Sequence, residues 1–146
     1  MIAHTIQLAL TPVFVLVAIG NLLNLLSTRL GRIVDRAREL QERHAITEGP
    51  AHDMVVAEMR LVDRRMALTH GAIRLLVLSG IAIGTTVTVL FAEEMTNYPL
   101  ERVAATIFVI AIALLMAAMT QFLLETQVAT RALSIPPDYL DDTRGP

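Results

Sequence analysis

The stretch Asn21–Leu40, NLLNLLSTRLGRIVDRAREL, decides the fold. Its first half is uncharged and rich in leucine, while its second half carries an arginine or an acid at nearly every turn. The apolar spacing is the same in both. Leu23, Leu26, Leu30, Ile33, Ala37 and Leu40 recur at alternating steps of three and four, the repeat of a helix that packs along one seam. A change of solvent without a change of period predicts one unbroken helix that passes from lipid into water.

Outward from that stretch, the 146-residue chain, 54% apolar, contains three runs without a formal charge: Thr5 to Thr28, Leu75 to Ala92 and Val103 to Leu124. As helices they would be roughly 36, 27 and 33 Å long, against a hydrocarbon core of about 30 Å. A soluble bundle with buried helices would need polar faces on these runs, and IFVIAIALLMAAM offers none. A cleaved secretory signal would want a basic residue ahead of the first run and small residues after it. Only His4 precedes it and NLLSTRLGR follows, so the run reads as a membrane helix.

The twelve basic residues are all arginine, and cysteine is absent, which excludes disulfides and thiolate chemistry. A net charge of -2 argues against nucleic-acid binding. Nine arginines fall between Arg29 and Arg74, and one falls between Glu93 and Arg102. By the rule that retained arginine marks the cytoplasmic side, the N-terminus is expected outside and the C-terminus inside. Arg29, Arg32, Arg36 and Arg38, with Arg60, Arg64, Arg65 and Arg74, form a basic collar next to the first two crossings. The acids Glu39, Glu42, Glu48, Asp53 and Glu58 lie farther out. Such a collar suits anionic lipid head groups, and near-neighbour pairs such as Asp35 with Arg38 and Glu39 with Arg43 lace the helix surface.

A second seam, Val55, Met59, Val62, Met66, Thr69, Ile73 and Leu76, leads into the second crossing. Between the two seams Gly49 ends one helix and Pro50 starts the next, so the strips should meet antiparallel, Leu40 near Met59 and Ile33 near Met66. Met59 and Met66 read as core, and Met54, off the seam, as the better candidate for contact with a partner. The expected architecture is all-α: an integral membrane protein with three transmembrane helices, the first two extended into a cytoplasmic antiparallel helical hairpin. The segments are residues 5–28 (helix 1), 29–74 (hairpin), 75–92 (helix 2), 93–102 (outer loop), 103–124 (helix 3) and 125–146 (cytoplasmic tail, with SIPPDYLDDTRGP acidic and non-helical).

Gln7, Thr11, Asn21 and Thr28 lie near one face of the first helix, with Asn24 at its edge, and Pro12 should kink that helix. Amides in lipid need partners, so this face is expected to meet another helix, another copy of the chain or a water-filled pathway. Gly80 and Gly84 offer a small-residue strip for helix packing, with Ala113 and Ala117 as a complementary surface. Gln121, Glu125, His70 and Arg74 read as snorkelling anchors at the inner boundary. Catalytic motifs are missing, and His44, Glu48 and His52 around the turn match no metal-ligand spacing, so neither an enzyme nor a metal or other cofactor is expected.

The run TPVFVLVAIGNLLNLLSTRLGRIVDRAREL, followed by RLVDRRMALTHGAIRL, resembles an uncharacterised bacterial membrane family, domain of unknown function 2721, over about Ile6 to Arg131. The resemblance implies a bacterial inner-membrane protein with three crossings and transfers no activity. Two functions follow as expectations: a homo-oligomeric bundle whose first helix lines an ion-conducting axis, and a membrane-anchored scaffold whose hairpin tip recruits a cytoplasmic protein.

Overall fold

The computed structural model describes residues 2–132. The expected C-terminal tail beyond Ala132 lies outside them. Three α-helices account for almost all of the described chain: α1 (Ile2–Ile46), α2 (Pro50–Thr96) and α3 (Glu101–Ala132). Each contains a stretch long and apolar enough to cross a membrane, and only 17%, 22% and 17% of those stretches is buried inside the protein. Phe14, Ile81 and Val109 are 71%, 61% and 66% exposed. Apolar surface on that scale, facing away from the protein on all three helices, requires an apolar solvent.

α1 runs through Pro12, whose ring is buried, and begins upstream at Ile2, so the proline does not start the helix. Its buried residues from Pro12 onward, Ile19, Leu26, Ile33 and Leu40, fall at steps of seven. Seven residues are slightly less than two full turns of a straight helix, so a strict repeat of seven holds a seam only if the helices wind gently around each other. The repeat continues from the apolar half of α1 into the charged half. Leu40, Ile33 and Val62 form one cluster with Ala37, Val55, Met59 and Met66 packed against it, whereas Met54 is 75% exposed.

Gly49 turns the chain with φ +71° and ψ -142°, and Pro50 opens α2, where its missing N–H costs nothing. At the other end Asn97 caps α2 in the left-handed conformation and its N–H returns to the Glu93 carbonyl. Four residues, 97–100, separate α2 from α3, because the helices take up both ends of the expected loop. α2 is the central helix, packed by α1 on one side and α3 on the other.

The α2–α3 pairing has a clear register. Ser79 Oγ donates to the Ala111 carbonyl at 2.7 Å, and fourteen residues along each chain Arg65 Nε donates to Glu125 Oε1 at 3.0 Å. Steps of seven from these contacts set Thr86 level with Ala104 and Ala72 level with Ala118, and all four are buried. Small side chains at these positions let two helix backbones approach closely. Glu125 occupies the position where a fourth alanine would continue the series.

Candidate functional site

At the end of the charge-free runs, Arg29 of α1, Arg65 of α2 and Glu125 of α3 converge. Glu125 is 1% exposed. Its Oε1 accepts from Arg65 Nε, and its Oε2 lies 3.3 Å from Arg29 Nη2, in ion-pair range without hydrogen-bond geometry. The Arg29 guanidinium also sits over the Phe122 ring, 5.1 Å from its centroid. A carboxylate so enclosed needs cationic partners, and here each neighbouring helix supplies one. Glu125, expected as a snorkelling anchor, is instead buried, and Arg29 and Arg65 of the expected collar, 30% and 26% exposed, both turn toward it. Gln121, one turn before Glu125, is half-buried, with its carboxamide over Gly71, where a Cβ would collide with it. None of this is visible along the chain, because sixty residues separate Arg65 from Glu125.

Two hollows adjoin the triad. A cavity of about 330 Å³ is lined by Arg29, Arg32 and Arg65. A second, of about 480 Å³, is lined by Met116, Met119, Thr120, Phe122, Leu123 and Thr126, and Arg29 borders this one too. At the opposite end, a cavity of about 470 Å³ is lined by all three helices, with His4, Thr11, Pro12, Thr86, Glu101 and Phe108 among its lining residues.

The rest of the collar behaves differently. Arg36 donates through Nε and Nη2 to Glu58 Oε1 at 2.9 and 2.6 Å and through Nη1 to Glu39 Oε2 at 2.6 Å, while Arg43 Nη2 reaches Glu39 Oε1 at 2.8 Å. The expected Glu39–Arg43 pair is therefore present, whereas Asp35 makes no ion pair with Arg38. The hydrogen bond with Arg36 holds the Glu39 carboxyl below the usual carboxylate range, and Glu58, then Glu39, raise the Arg36 guanidinium. Arg32, Arg38, Arg60, Arg64 and Arg74 are exposed. Arg74 and His70 lie on α2 beyond Arg65, one to three turns farther toward the apolar run.

Gln7, Thr11, Asn21, Asn24 and Thr28 are all exposed. Asn21, Asn24 and Thr28 point away from the α2 contact made by Ile19 and Leu26, whereas Thr11 borders the outer cavity. The hydroxyls within the apolar runs are largely satisfied within their own helices. Thr28, Thr85, Thr86, Thr88, Thr106 and Thr120 each donate to the carbonyl four residues back. Asn21 and Asn24 have no such bond, and no side-chain partner among the described residues. Of the two expected packing glycines, Gly80 would carry a Cβ at 3.8 Å from Ile19 and Leu16, an ordinary contact, and Gly84 faces open space. Ala113 and Ala117 are exposed, and the alanines that meet α2 are Ala104, Ala111 and Ala118. The His44 and His52 rings lie 4.4 Å apart at the turn, and no group of three or more metal-ligating side chains converges among the described residues.

Three apolar helices of spanning length, with their outward surfaces uncovered, define the class: a multi-pass membrane protein. The chain belongs to the family described as protein of unknown function (DUF2721), which matches residues 9–135. Neither the curated proteins nor the solved structures gave a match.

Proposed function

We propose that the protein works as a homo-oligomer assembled through the outer face of α1, with Asn21, Asn24 and Thr28 turned toward the assembly axis as the lining of an ion-conducting path. The observation that carries this reading is the contrast between hydroxyls and amides. Threonines satisfy themselves against their own helix and can face lipid, but an amide cannot, and Asn21 and Asn24 stand opposite the α2 contact with no side-chain partner among the described residues. An unpaired amide in hydrocarbon costs several kcal/mol, so a second copy or water must meet this face. The bilayer is the bacterial inner membrane, with the collar, the turn at Gly49 and the C-terminus on the cytoplasmic side.

The chain has no cysteine, so single-cysteine variants report cleanly. Asn24→Cys should form disulfide-linked dimers on mild oxidation in membranes, and Val109→Cys, exposed on α3, should not; equal cross-linking at both sites would remove α1 as the interface. In reconstituted bilayers Asn24→Leu should abolish conductance while the particle mass stays oligomeric. Unchanged current would exclude Asn24 from the path, and a monomeric mass for the unmodified protein would end the pore reading.

A second reading has its own support. Ile46 and Met54, beside the turn, are 82% and 75% exposed at an otherwise acidic tip, in a position suited to a cytoplasmic protein partner. Replacing residues 47–54 with a short glycine turn should abolish capture of that partner and leave membrane assembly intact; capture that survives the replacement counts against the scaffold.

A further inference from the structure

Three guanidinium groups line the cavity at the Arg29 end, against one carboxylate. Glu125 occupies Arg65 and draws Arg29, while Arg32 has no acceptor among the described residues. The cavity therefore keeps a surplus of positive charge and unused N–H donors, the fork that matches a phosphate group. Phe122 beneath Arg29 fixes that guanidinium between the charged cavity and the neighbouring hollow. That hollow is apolar, is lined by Met116, Met119 and Leu123, and lies on the membrane side of Arg29 within the charge-free run of α3. Methionine thioethers adapt to flexible apolar ligands.

A polar hollow for an anion beside an apolar one, with Arg29 on the rim of both, suits the two parts of a phospholipid. We propose that these two hollows, which share Arg29, bind one anionic phospholipid per protomer, its phosphate held between α1 and α2 by Arg29, Arg32 and Arg65 and one acyl chain lying along Met116, Met119 and Leu123 of α3. Free phosphate would use the arginines alone and leave the groove without a role. The proposal rests on the membrane placement given above and not on assembly through α1.

The test is native mass spectrometry of the full chain released from nanodiscs of equimolar phosphatidylglycerol and phosphatidylcholine, with an inorganic phosphate arm. Phosphatidylglycerol should remain bound about tenfold more than phosphatidylcholine. Arg32→Gln should remove most of that preference without altering the melting temperature, since Arg32 stands outside the Glu125 triad. Met119→Trp, which fills the groove, should expel the lipid as well. Equal retention of the two lipids, or retention unchanged in Arg32→Gln, overturns the proposal. Displacement of the lipid by inorganic phosphate, with Met119→Trp behaving as wild type, would assign the cavity to a free anion and overturn it too. The same spectra give subunit number, so failure of the α1 assembly registers separately from failure of lipid binding.

Discussion

At the scale of single residues, the triad around Glu125 behaves asymmetrically. Arg29 and Arg65 are 30% and 26% exposed and can turn to water if the carboxylate is removed, whereas Glu125 cannot reach water if they are removed. Glu125→Leu, at a position where the α3 series otherwise reads alanine, should thus stay within about 1 kcal/mol of wild type. Arg29→Met combined with Arg65→Met strands a buried carboxylate and should cost about 3 kcal/mol or more. Thermal unfolding in detergent decides the matter, and a larger loss for Glu125→Leu would refute it. The triad was not legible in the sequence. Glu125 follows a leucine at the end of an apolar run, which is where a lipid-boundary anchor also sits, and only the α2–α3 register separates the two environments.

Among the elements, α2 and α3 are held by small side chains. Ala111→Leu should force the two helices apart at the Ser79 hydrogen bond and cost about 1–3 kcal/mol, while Ala113→Leu, exposed to lipid, should cost almost nothing. Equal melting temperatures for the two variants would show that the alanine seam is misplaced. The seam of α1 and its partner on α2 were legible, because steps of three and four survive the change from apolar to charged surroundings. The α3 seam was harder to read, because alanines abound on every face of that helix and nothing along the chain marks Ala104, Ala111 and Ala118 from Ala113 and Ala117.

The turn makes its own demands. Gly49 holds a conformation close to the region that only glycine occupies comfortably, so Gly49→Ala should loosen the tip by about 1–3 kcal/mol, seen as faster amide exchange over residues 40–55. Undiminished protection there would mean that the backbone relaxes freely. Acid acts on the same region through Glu39. Its folded-state carboxyl titrates below its unfolded one, so its contribution is present above the unfolded value and lost as pH falls through the folded one. Protection of the tip should decline across that acid window, and Glu39→Gln should flatten the decline; an identical pH profile in the variant would acquit Glu39.

For the whole molecule, length and composition specify three membrane helices, and the single chain leaves their outward faces uncovered. The sequence placed Asn21, Asn24 and Thr28 together on α1, and their turn away from α2 follows from which leucines and isoleucines the seam claims first. What the sequence could not provide was the pair of hollows around Arg29, one shared with Arg65 of α2 and the other with α3, which depend on Arg29, Arg65 and Glu125 meeting across three helices.

The absence of any break in α1 between Thr28 and Ile46 has a mechanical corollary. The eighteen residues beyond the apolar run project about 27 Å, and α2 braces them through Arg36 and Glu58. A rigid rod anchored in a fluid sheet acts as a lever: a change of inclination of about 10° at the bilayer, as thinning or stretching would impose, sweeps its far end through about 5 Å. Membrane thickness would thereby be converted into a displacement that a molecule in the aqueous phase could sense.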